Sequence, residues 1–166
     1  MRFAAVLCGL VAGGLLSTPA HADVELGADL NLAVPLQSED DTGVGVAVRL
    51  GNRFSIPLVH AALELKGGFD SYGGLREASV YTGLVGARLG VGEIIRPSAY
   101  AHVGIGHVDF GPNLLEDDTR AAGDVGLALD FTLLPLLDLG VHGEYGALVG
   151  ADFDWLRFGI HAMLVF

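Results

Sequence analysis

The chain has 166 residues, 51% of them hydrophobic, with 20 acidic side chains against 9 basic ones and a formal charge of −11. That length suits a single domain, and the acidic balance argues against a nucleic-acid partner, whose phosphates it would repel. No stretch after residue 22 holds the roughly 18 unbroken apolar residues of a membrane helix.

The first 22 residues read as a leader. Arg2 precedes an apolar run over residues 3–16, then Ser17, Thr18, Pro19 and Ala20-His21-Ala22, a small-x-small cleavage site. The expected organisation is a signal peptide over 1–22 and a mature domain over 23–166. Cys8, the one cysteine, lies in the leader, so the mature chain is expected to carry no disulfide and no thiolate chemistry.

The mature chain alternates with period two, the pattern of strands. Val24, Leu26, Ala28, Leu30, Leu32 and Val34 oppose Glu25, Gly27, Asp29, Asn31 and Ala33, and a polar loop with Ser38-Glu39-Asp40-Asp41 follows. Val44, Val46, Val48 and Leu50 oppose Gly43, Gly45, Ala47 and Arg49, with a turn expected at Gly51-Asn52-Arg53. A third strand sets Val59, Ala61, Leu63, Leu65 and Phe69 against His60, Ala62, Glu64, Lys66 and Gly68, ahead of a loop over 70–76. A fourth sets Tyr81, Val85, Ala87 and Leu89 against Thr82, Leu84, Gly86 and Arg88, although Val80 and Leu84 then fall on the polar face.

After a turn over 92–97, Ala101, Val103 and Ile105 oppose Tyr100, His102, Gly104 and Gly106. Val108 and Phe110 are out of phase with Ile105, which suggests a bulge. A loop over 111–119 carries Glu116-Asp117-Asp118. The sixth strand sets Val125, Leu127, Leu129, Phe131 and Leu133 against Asp124, Gly126, Ala128, Asp130 and Thr132. Beyond Pro135, Leu139, Val141, Tyr145 and Ala147 oppose Asp138, Gly140, His142, Glu144 and Gly146. The last strand alternates Leu156, Phe158, Ile160, Ala162, Leu164 and Phe166 with Arg157, Gly159, His161, Met163 and Val165.

Such strands cannot cross hydrocarbon singly, because their backbone groups would find no partner, so they must close. The expected fold is all-β: an eight-stranded antiparallel up-and-down transmembrane β-barrel with a polar lumen. Both termini are expected on the periplasmic side, with turns there at Gly51-Asn52, Gly92-Glu93 and Pro135-Leu136 and the acidic loops outside. A soluble lipid-carrier barrel would turn its apolar face inward. The glycines of the polar face suit a narrow interior instead. Phe69, Tyr81, Tyr145 and Phe158 toward one edge, with Phe131 and Phe166 toward the other, suit two membrane girdles.

On its leader, its eight alternating strands and its ending from Trp155 to Phe166, the mature chain resembles the small outer-membrane β-barrel family of the OmpA/OmpX type, porin-like barrels of the Gram-negative cell envelope. The resemblance implies location in the bacterial outer membrane, contact with its lipid and lipopolysaccharide, and a monomer. It also implies that Phe158, Ile160, Ala162, Leu164 and Phe166 are the signal read by the barrel-assembly machinery. For activity the resemblance is weak, because the family includes structural barrels, adhesion factors and a few enzymes.

Asp29, Arg49, Glu64, Lys66, Arg88, His102, Asp124, Asp130, His142, Glu144, Arg157 and His161 share the inner face, together with His60. Charges in a narrow lumen must be paired or solvated, so a plugged structural or surface barrel is expected, with a narrow pore as the alternative. Hairpin centres read from the loops set Asp29 opposite Arg49, His142 opposite His161 and Gly146 opposite Arg157, with Glu144 diagonal to Arg157 and His161. Two histidines and Glu144 are a possible transition-metal set, but no fixed ligand spacing supports one, so no metal and no cofactor is assigned. A further alternative is a lipid A acyl hydrolase built from Ser79, His107 and Glu77 on the outer wall, where a turn centred on Glu93 would set Ser79 and His107 side by side with Glu77 close by, although the His-x-Ser arrangement of such enzymes is absent. No enzyme activity is expected.

Overall fold

The computed structural model describes residues 21–36, 42–73, 78–110, 118–134, 136–150 and 153–166. Eight strands form one closed barrel in chain order: β1 (His21–Pro35), β2 (Gly43–Ile56), β3 (Val59–Tyr72), β4 (Ala78–Val91), β5 (Ile95–Phe110), β6 (Asp118–Leu134), β7 (Leu137–Leu148) and β8 (Asp154–Val165). Every neighbouring pair is antiparallel, and β1 closes on β8. Phe166 N–H donates to Val24 O and Val24 N–H to Phe166 O, both at 3.0 Å, which locks the end of that seam. The expected leader lies in residues 1–20, outside the described residues, and at positions 21 and 22 of the chain β1 is already paired with Ser55 and Phe54.

Closure is staggered. Glu25 pairs with Gly51, then Glu64, Gly86, His102, Asp124, Gly146 and Trp155 follow round the wall, and Trp155 returns to Pro35, ten residues beyond the start. A stagger of this kind tilts the strands. All the members of the belt between Glu25 and Trp155 point inward, and large side chains are interleaved with glycine. An added Cβ at Gly86 would strike His102, and one at Gly146 would strike Trp155. The narrow interior holds its large side chains because their neighbours have none.

The outer wall is apolar from strand to strand, with Leu30, Val46, Leu65, Val85, Val103, Leu127, Val141 and Ile160 all exposed. A continuous band of this kind is incompatible with water and matches the lipid-facing band of a membrane barrel. Phe69 and Tyr81 pack at the loop edge with tilted rings, centroids 5.1 Å apart. Tyr145 and Phe158 are exposed on the same side, and Phe54 and Phe166 are exposed toward the turns. From Phe158 on β8 to Phe166 just beyond it, the two aromatic levels enclose about nine residues, the length a tilted strand needs to span hydrocarbon.

Three local expectations are corrected. Gly51-Asn52 is not a turn: β2 continues to Ile56, the chain reverses at Pro57 and Leu58 (φ 67°), and Arg53 is thereby carried inward. The dipeptide resembles a turn signal, but the alternation Arg49, Gly51, Arg53 against Leu50, Asn52, Phe54 runs through it. Asp70 belongs to β3 rather than to a loop, and it is buried. No bulge flips β5: Val108 stays in phase with Tyr100 and His102 and points inward. The register shift that does occur lies in β6, between Thr132 and Leu134.

The three expected hairpin registers are each off by two residues. Asp29 faces Ala47 and Arg49 faces Gly27; His142 faces Gly159, and Arg157 faces Glu144 rather than Gly146; Ser79 faces Asp109 and His107 faces Tyr81. A slip of two preserves which face a side chain occupies and changes its partner.

Candidate functional site

The lumen is filled in three levels. At the turn end, Asp138 Oδ2 accepts from Arg53 Nη2 at 2.8 Å and also from Arg96, while Asp138 Oδ1 accepts from Thr132 Oγ1 at 2.6 Å. Arg53 also pairs with Glu25. A cavity lined by Glu25, Arg53, His60, Arg88 and Arg96 measures about 10 Å³, at the lower limit for a single water. His60 sits at this rim, half-buried, bonded to Ser55 Oγ and Gly92 O at 2.9 Å each.

The middle level is a continuous network. Arg49 donates to Asp29 Oδ1 from Nη2 at 2.7 Å and from Nε at 3.1 Å, and its Nη1 lies 3.7 Å from Glu64. Arg88 pairs with Glu64 at 3.1 Å and Asp130 at 3.6 Å, and its guanidinium stands 5.2 Å over the Tyr100 ring. Lys66 bridges Asp124 at 2.9 Å and Glu144 at 2.6 Å. His102 lies between Asp124 and Glu64, with its ring nitrogens 2.6 and 3.0 Å from their carboxylates. The imidazolium form, a donor at both nitrogens, satisfies that arrangement. Arg157 donates to Glu144 Oε1 at 2.7 Å and to both oxygens of Asp70, from Nε at 3.1 Å and from Nη2. His161 Nε2 meets Asp130 Oδ1 at 2.6 Å, and His142 Nε2 meets Asn31 Oδ1 at 2.8 Å.

At the loop end the interior becomes apolar. Ala33, Tyr72, Ala78, Val80, Leu84, Val108, Ala122, Leu148, Phe153 and Trp155 form one buried cluster. Val80, Leu84 and Val108 gather here, which explains why they break the polar pattern of their face. Trp155 is 0% exposed, and the Arg157 guanidinium stacks 4.9 Å from its ring. Among the described residues the lumen therefore carries an apolar layer above an ion-paired one. The larger hollows, about 590 and 620 Å³, lie on the outer wall around Gly67 and Gly83 and around Ala61, Ala87 and Ala101, where small residues leave the sheet bare to lipid.

All twelve residues singled out for the lumen are inward and buried, and the contacts above join them. Sequence reasoning did not single out Glu25, Asn31, Arg53, Asp70, Arg96, Tyr100 or Asp138. Parity was the available signal, and for Arg53, Asp70 and Arg96 a premature turn or loop assignment hid it. Asp29 and Arg49 meet diagonally rather than face to face, and Glu144 is directly opposite Arg157. Ser79 and His107 are not brought side by side; His107 Nδ1 bonds Thr119 Oγ1 at 2.8 Å, and Glu77 lies outside the described residues. The acidic loop residues 39–41, 116 and 117 also lie outside them, while Asp118 begins β6 and pairs with Arg120.

No family model and no curated protein matches the chain. Solved structures do. The chain is similar to the N-terminal β-barrel domain of Pseudomonas aeruginosa OprF (TM-score 0.62, 12% identity, 89% of this chain and 100% of that one). Neisserial surface protein A gives a TM-score of 0.58 at 13% identity over 90% of this chain and 100% of the other. The outer membrane enzyme PagL gives 0.51 at 14% over 84% and 98%. At these identities the likeness is one of fold: the chain has the fold of the small eight-stranded outer-membrane barrels.

Proposed function

We propose that the protein is an integral outer-membrane barrel with a structural or surface role and a lumen that does not conduct. The observation that supports this reading is the apolar layer of Trp155 and its neighbours, buried at the loop end above the ion-paired core. Ions crossing it would have to displace buried charges from their partners, which costs several kcal/mol per ion. The reading includes removal of a leader after Ala22, periplasmic termini, contact with lipid and lipopolysaccharide, recognition of Phe158, Ile160, Leu164 and Phe166 by the assembly machinery, and a monomeric state.

Planar-bilayer recording of the refolded barrel tests it. Silence is expected, and a steady open channel would replace this reading with the narrow pore. Among the described residues the hydrolase finds no support, since Ser79 faces Asp109 and His107 Nδ1 bonds Thr119 Oγ1. Mass spectrometry of lipid A from expressing cells, with no loss of acyl chains expected, tests that alternative separately.

A further inference from the structure

His142 on β7 and His161 on β8 set their Nδ1 atoms 3.1 Å apart. The other nitrogen of each ring already faces an acceptor, Asp130 Oδ1 for His161 and Asn31 Oδ1 for His142. A neutral imidazole carries one N–H, so in the tautomers in which both Nε2 atoms donate, both Nδ1 atoms turn lone pairs toward each other. In that arrangement a cation between the rings satisfies both lone pairs. On β1, Asp29 stands directly opposite His161 in the ladder, and one of its oxygens lies within 4.8 Å of a ring nitrogen of each histidine.

We propose that His142, His161 and Asp29 form a site for one divalent transition-metal ion of the zinc class. Two nitrogens bound to Zn²⁺ at the tetrahedral angle stand roughly 3.3 Å apart, close to the 3.1 Å observed. Both hydrogen bonds from Arg49 go to Asp29 Oδ1, which leaves the second oxygen for a metal. Coordination then asks the Asp29 carboxylate to move toward the two rings, and water takes the fourth position. Two imidazoles and one carboxylate suit zinc, nickel, cobalt or copper and not the all-oxygen preference of magnesium or calcium.

The surroundings match those of a metal-binding histidine, whose second nitrogen donates to a carboxylate or carbonyl that fixes the tautomer. Glycines seat both rings: an added Cβ at Gly140 would strike the His161 imidazole, and one at Gly159 would strike Asn31 and press on His142. The ligands sit on three consecutive strands, β7, β8 and β1. The ion therefore ties the first strand to the last across the closing seam, whether or not the lumen conducts.

The test is titration of Co²⁺, then Zn²⁺, into the full folded barrel in detergent micelles after chelator treatment, read by visible ligand-field absorption and by NMR of the histidine rings. One Co²⁺ per barrel with a tetrahedral spectrum is expected, displaced by Zn²⁺, with the His142 and His161 ring signals broadened first. His142→Gln and His161→Gln should each weaken binding more than tenfold, and Asp130→Asn by about tenfold. No spectrum at millimolar Co²⁺ would overturn the site and leave a proton as the cation between the rings. A spectrum unchanged in both histidine variants would overturn it too, by placing the ion on the acidic loops. Should either variant fail to fold, the order of ring broadening in the unaltered barrel decides the question.

Discussion

Arg157 stands directly opposite Glu144 across the β7–β8 ladder, and the same guanidinium reaches Asp70 on β3, 87 positions away in sequence. One side chain thus ties neighbouring strands to the opposite part of the wall. Removing it leaves buried Asp70 without its cation, while Glu144 keeps Lys66, so Arg157→Ala should cost about 3 to 5 kcal/mol. Equilibrium urea unfolding in lipid vesicles measures this. A loss under 1 kcal/mol would show that water reaches the pair.

The Asp29–Arg49 contact is made diagonally, at 2.7 Å. Asp29→Ala and Arg49→Ala should each destabilise strongly, and the double variant should lose less than their sum, because the second removal takes away the uncompensated charge. Additive losses in this cycle would assign the two residues to other partners, Glu64 being the candidate for Arg49.

Leu127 is 69% exposed on the outer wall. If that wall faces hydrocarbon, Leu127→Arg costs about 2 to 4 kcal/mol near the bilayer midplane. Leu127→Ala should cost far less, since lipid refills the space. Refolding titrations of the two variants in the same lipid give the comparison, and equal losses would contradict a lipid-facing position.

Trp155 is the protein's one tryptophan, so its fluorescence reports on the apolar layer alone. Gly146→Ala places a methyl group against the indole and should cost about 1 to 3 kcal/mol by overpacking. Trp155 emission should shift to the red as the ring is displaced. An unchanged spectrum at unchanged stability would mean the apolar layer is loosely packed.

Phe166 shares two backbone hydrogen bonds with Val24 at the seam and ends the outward series Phe158, Ile160, Leu164. Deleting it should leave export intact and lower the yield of folded barrel, read as heat-modifiable gel migration in cells. Normal folded yield would remove the proposed assembly role of the terminal aromatic.

Period-two alternation is a local property of the chain, so the residues alone define the strands, their number and the face of most side chains, failing where a turn-like dipeptide or an apolar inward residue such as Val108 interrupts the pattern. Leu127 and Ala128, or Phe158 and Arg157, could be sorted between membrane and lumen without a structure. Partners were another matter. A hairpin displaced by two residues keeps every face and changes every pair, so Asp29 with Arg49, Glu144 with Arg157 and Ser79 with Asp109 were settled only by the actual registers. Contacts across the lumen lay further beyond reach. Lys66 meets Glu144, and Arg157 meets Asp70, because the closed wall and its ten-residue stagger bring strands distant in the chain to the same height. The apolar layer follows from the same cause: Val80, Val108 and Trp155 look like scattered exceptions along the chain and come together only when the barrel closes.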